Sequence, residues 1–188
     1  MIKEMEPFKG EEIFHKPEHG KFTLQLGKLS YTFVNETNIP FNWIDQAILG
    51  LTNIIPFNVY GISDDGHKIF CVVSLYNSHI TKEPVGFIPT EKDSKAQPHE
   101  SHYVHMWNFC FALHKDMREH LDSWVDWVLS CKEYCSSKYT DGETKYQAVK
   151  KQLIEKLDAL KVALEESHDG FPVVIYCSED DEPLEIPD

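Results

Sequence analysis

Arginine is all but missing from this chain: Arg118 is the only one. With 18 basic residues against 31 acids, the net charge is -13. Binding to a phosphate backbone needs clustered Lys and Arg that displace its counterions, so nucleic acid is not an expected partner. The best basic cluster, Lys145, Lys150, Lys151 and Lys156, sits among acids and reads as a solvated helix face. Long apolar runs are missing too. No stretch approaches the roughly 18 residues that span a bilayer, so no membrane partner is expected. Residues 1–7 mix charges with no apolar stretch behind them, unlike a signal peptide.

An even set of cysteines is also lacking. Cys71, Cys110, Cys131, Cys135 and Cys177 are odd in number and scattered, unlike a secreted disulfide framework. Reduced thiols in the cytoplasm are the simplest reading. Cys131 and Cys135 are four apart, not the C-x-x-C of redox or zinc sites, and continue an apolar stripe. There is no Gly-rich phosphate loop, nucleophile elbow or dinucleotide fingerprint, and no cofactor is expected.

What the chain does have is acid at its end. Six of its last ten residues are Glu179, Asp180, Asp181, Glu182, Glu185 and Asp188, and none of the ten is basic. The expected organisation is a single globular domain over 1–178, with 1–20 as an extended N-terminal arm and 179–188 as a flexible acidic tail. A hydrophobic fraction of 41% with 12% aromatics is that of a globular domain.

Period-two alternation in 22–26 and 29–34, around Gly27-Lys28, predicts a hairpin. Phe41, Ile44, Ile48 and Leu51 then fall at helical spacing. Segments 57–62 and 67–76 predict a second hairpin around Asp64-Asp65-Gly66, since Asp-Gly accepts positive φ cheaply. Residues 77–100 carry the weakest pattern, with one short strand expected at 85–88. From Tyr103 to Cys135 a stripe repeats at three and four residues, yet Phe109 and Phe111 leave it and also fit a strand. A strand to about Leu113 followed by a helix over 116–135 is preferred to one long helix. Thr140 and Glu143 form a capping-box pattern before a clear helix. Its apolar face is Tyr146, Val149, Leu153, Leu157, Leu160 and Leu164. A short strand is expected at 171–177. The predicted fold is α+β: a mainly antiparallel sheet built from hairpins, with two or three helices packed on one face.

Two sets of residues are candidates for chemistry. His99, His102 and His105 are spaced by three, and imidazole is a common metal ligand. They would serve a metal-dependent enzyme, although the tighter H-E-x-x-H grammar is missing and packing histidines are favoured. Asp64 and Asp65, at a hairpin tip, join Glu179, Asp180, Asp181 and Glu182 as candidate binding carboxylates. Acidic patches select and accelerate encounter with a positive surface. The leading expectation is therefore a protein-binding module with a basic protein partner, one version being an inhibitor or immunity-type protein. A structural subunit using the aromatic segment 103–113 as its interface is a further alternative.

Overall fold

The computed structural model describes residues 12–26, 29–75, 78–85, 99–102, 106–132 and 142–167. β1 (Glu12–Glu18), β2 (Lys21–Leu26) and β3 (Leu29–Val34) form a three-stranded antiparallel sheet in that order. Helix α1 (Ile39–Asn53) follows. β4 (Phe57–Ile62), β5 (His67–Val73), β6 (Ser78–Pro84) and β7 (His99–His102) form a four-stranded antiparallel sheet, again in chain order. Then come α2 (Met106–Glu119), α3 (Leu121–Ser130) and α4 (Gly142–Ser167). This is the α+β class that the periodicity predicts, with four helices among the described residues in place of two or three. None of these helices is long and apolar enough to cross a membrane.

Alternation sets the layers. Phe22, Leu24 and Leu26 of β2 are buried, as are Phe57 and Val59 of β4, and Ile69, Cys71 and Val73 of β5. The helices lie on that side: α1 packs on β4, while α2 and α3 pack on β1. α4 packs on α1, α2 and α3 through Val149, Leu153, Leu157, Leu160 and Leu164, all buried. Both predicted hairpins are present in register, Phe22 opposite Phe33 and Phe57 opposite Val73. The sheets touch where Phe33 bridges Ser63 and where the Asp64 N–H donates to the Thr32 carbonyl at 3.0 Å.

Three expectations need correction. The segment to Leu113 is not a strand: Met106 to Glu119 is helical, and the long stripe is broken at His120. Phe109 is buried there because α2 packs on β1, α1 and α4 together, so more than one stripe is covered. The stretch 77–100, read as nearly patternless, contains β6 and the start of β7. β6 carries Lys82, Glu83 and Pro84 at one end, and only Ser78 and Ile80 are buried, so its hydrophobic alternation is short. Finally, residues 12–18 of the N-terminal arm form an edge strand. Pro17 lies where the pairing with β2 slips between His15 and Glu18, the position at which a sheet tolerates proline. The β1–β2 turn has positive φ at both His19 (52°) and Gly20 (73°), the conformation of a tight hairpin. The strand expected at 171–177, residues 86–88 of the strand expected at 85–88, the tail and Thr140 lie outside the described residues.

Gly61 of β4 is where β3 and β4 approach. A Cβ there would meet the Phe33 ring, with Cε1 at 2.8 Å, and the Ile39 Cδ1 at 3.2 Å. Gly61→Ala is expected to lower unfolding free energy by about 1–3 kcal/mol in urea titrations, as overpacking does. Gly142→Ala, with nothing within 4 Å of the new methyl, should change it by less than about 0.5 kcal/mol. Equal effects would mean that the Phe33 contact does not constrain the junction.

Candidate functional site

The β4–β5 turn carries two of the candidate carboxylates, and they have different surroundings. Gly66 takes φ 81°, which closes the turn, and the Ser63 N–H donates to the His67 carbonyl at 2.7 Å. The Asp65 carboxylate accepts from the Ser63 hydroxyl and from the Lys82 ammonium, and its Oδ1 lies 3.0 Å from His67 Nδ1. The Lys82 hydrogen bond, then those of Ser63 and His67, hold the Asp65 carboxyl far below the usual range. Asp65 thus ties β5 and β6 to the turn. Asp64 is exposed at the tip and uses its backbone N–H to reach β3. Of this pair, Asp64 is the one presented to solvent without a structural task for its carboxylate in the turn.

A second acidic group lies between α3 and α4. The Tyr146 hydroxyl donates to Asp122 Oδ1 at 2.6 Å, and Lys150 Nζ reaches the same oxygen at 3.0 Å. The Tyr146 bond first, then Lys150, hold the Asp122 carboxyl below its ordinary value. Tyr146 is pushed up to about 12, chiefly by that bond, with Asp126 and Glu143 adding repulsion for a phenolate. Sequence reading used Tyr146 only as part of an apolar face. The signal it passed over was Asp122 and Asp126, four apart on the exposed side of α3.

One half-buried carboxylate holds the fold. Asp116 on α2 accepts the Phe14 N–H of β1 at 2.8 Å. Burial pushes its carboxyl up, against the lowering effect of the Phe14 bond. His114, one helical face away, is pushed down by burial and by Lys161 and Arg118.

His99 and His102 lie on β7, opposite Thr81 and Ser78 of β6, and His105 is outside the described residues. The backbone at 99–102 is extended, so the helical i, i+3 pairing does not apply to the first two. Among the described residues no group of three or more His, Cys, Asp or Glu could hold a metal ion. Cys71, Cys110 and Cys131 are buried among apolar neighbours, as small hydrophobes would be. Of the aromatic segment, Met106, Trp107, Phe109 and Leu113 are buried and Phe111 is half-buried, while 103–105 lie outside the described residues. Glu179, Asp180, Asp181 and Glu182 lie outside the described residues. Neither a family model, nor a curated protein, nor a solved structure matches this chain.

Two pH responses of opposite sign follow. Asp65→Ala is expected to cost about 1 kcal/mol at pH 7, and Asp64→Ala less than about 0.5. Because the Asp65 pKa is lowered in the fold, its contribution is present above the ordinary value of 3.8 and is lost as pH falls below it. The gap between wild type and Asp65→Ala should therefore begin to narrow below about pH 4 in denaturation curves and keep narrowing as pH falls toward the folded pKa. Asp116 has a raised pKa, so its contribution is greatest at low pH and declines as pH rises through the folded value. Asp116→Asn should be as stable as wild type or more so at pH 7. Asp116→Ala, which leaves the Phe14 N–H without its acceptor, should lose about 1–2 kcal/mol. If both Asp116 variants lose equally, the carboxylate charge itself is what β1 requires.

Proposed function

We propose that this chain is an acidic protein-binding module whose partner is a basic protein. The observation that carries this reading is the charge: 31 acids against 18 bases, with six of the acids in the last ten residues. Bulk charge of one sign steers encounter with a surface of the other sign and disfavours nucleic acid. Asp64 at its exposed hairpin tip, and Asp126 and Glu143 near Tyr146, add carboxylates to those of the tail. One form of such a module is an inhibitor or immunity-type protein that neutralises a basic nuclease or toxin. A cytoplasmic setting suits the buried thiols Cys71, Cys110 and Cys131.

The test is affinity capture from the native cell extract, with the full chain and with a version ending at Ser178, at low and high salt. Captured proteins are identified by mass spectrometry. The expected result is a basic protein whose recovery drops severalfold either without the tail or at about 0.5 M salt, where screening is strong. Recovery of nothing by either version, or of a partner indifferent to salt and tail, overturns the reading.

A further inference from the structure

The end of α1 combines two features that folding alone disfavours. Ile54 caps the helix in the left-handed conformation, φ 52° and ψ 53°. Glycine or asparagine usually takes that position, because a Cβ there crowds the following carbonyl at a cost of about 1–2 kcal/mol. A β-branched side chain at positive φ is an outlier. Nor does the side chain gain burial in exchange. Ile54 is 41% exposed, Ile55 44% and Leu49, on the same terminal turns, 47%. They form an apolar tip; among the described residues the other large exposed hydrophobics are Val85 and Val162.

The C-terminal end of α4 lies at the same end of the molecule, as a chain of contacts establishes. Gly50 of α1 lies against Phe57, Phe57 pairs with Val73, and the Phe57 and Phe109 rings are 6.1 Å apart. The Met106 N–H reaches the Leu75 carbonyl at 3.4 Å, and the Trp107 indole N–H donates to the Leu164 carbonyl at 3.0 Å. Further back along both helices, Lys156 Nζ bonds Asp45 at 2.6 Å, so α1 and α4 run side by side in the same direction. Their two C-termini therefore point the same way. Each carries a partial negative charge from the helix dipole, and neither has a basic residue in its last turn. Glu165 and Glu166 are exposed there, where carboxylates oppose the dipole. α2 begins at this end with the opposite dipole, but Met106 and Trp107 are buried. The first tail acid, Glu179, is 12 residues beyond Ser167, a covalent reach of at most about 40 Å.

We propose that Leu49, Ile54 and Ile55, together with Glu165 and Glu166, are the docking surface for the basic protein. The isoleucines seat an apolar side chain of that partner, and the carboxylates and helix ends receive its cations. This is the usual anatomy of an interface, an apolar centre with a charged rim. It rests on the functional reading above and locates it at one end of the molecule.

The test uses the basic protein captured by the full chain, re-expressed alone and titrated against wild type, Ile54→Asn, Ile55→Ser and the double variant Glu165→Gln/Glu166→Gln. Ile54→Asn and Ile55→Ser should each weaken binding about tenfold at low and high salt alike, as apolar anchors do. The thermal midpoint of Ile54→Asn should be equal to or above that of wild type, since asparagine relieves the left-handed strain. The glutamine pair should weaken binding severalfold at low salt and little at high salt. Affinities within twofold of wild type for both isoleucine variants would move the interface elsewhere and leave the acidic reading standing. A wild-type dimer in sedimentation that Ile54→Asn dissociates would assign the tip to a second copy and overturn the proposal. Capture of no protein by the full chain would remove the functional reading and this inference with it.

Discussion

The indole of Trp43 holds the sheets and helices in one core. It projects from α1, between the two sheets in the chain, and its ring meets one phenylalanine from each strand of the first sheet. Phe14, Phe22 and Phe33 lie 6.2, 6.0 and 5.7 Å away, each edge-on. Phe109 of α2 lies at 6.2 Å, and the indole N–H donates to the Tyr60 carbonyl of β4 at 2.9 Å. Edge-to-face contacts of this kind add to the burial of large rings, and a buried indole needs an acceptor. Trp43 meets both needs while touching five separate elements. Two further tryptophans repeat the device over long separations. Trp127 donates to the Thr37 carbonyl at 2.9 Å and Trp107 to that of Leu164 at 3.0 Å, so α3 and α4 are tied to the same core.

With the aromatic core on one side, the sheets' other faces are left for different uses. On the first sheet that face is polar, with the Thr23 and Thr32 hydroxyls 3.2 Å apart. On the second, Tyr60 lies beside Phe70, and the Lys68 ammonium sits 4.5 Å from one ring centroid and 4.6 Å from the other. The cation lowers the cost of leaving two rings half-buried. The carboxylates divide in the same way. Asp65, Asp116 and Asp122 are engaged in holding turns, strands and helices; their bonds lower Asp65 and Asp122, while burial raises Asp116 against its bond. Glu165 and Glu166 at the end of α4 and Asp64 at the hairpin tip remain exposed.

Period and turn chemistry made much of the fold legible. The hairpins 22–34 and 57–73, the helix from Phe41 and the face from Val149 to Leu164 are local patterns, and each is present. Residues 106–113 were misread because a helix buried on several sides loses its single stripe and resembles a strand. β6 was missed because it buries only two side chains, which leaves little alternation to read. Less of the candidate site was legible. Asp64 and Asp65 are adjacent in sequence and chemically alike, but only the arrival of Lys82 from β6 separates the structural one from the exposed one. Ile54 and Ile55 lie beyond the helical spacing that ends at Leu51, and no local period marks them as exposed.

The sequence by itself determined the charge, the α+β class and the faces of its clearest elements, because each depends on residue type and short-range spacing. Tertiary structure alone decided which carboxylates are spent on the fold, that five elements converge on Trp43, and that α1 and α4 pack side by side. Those outcomes depend on contacts between residues as much as 111 positions apart, such as Asp45 with Lys156. No local period encodes such a distance, and only the packed core brings the partners together.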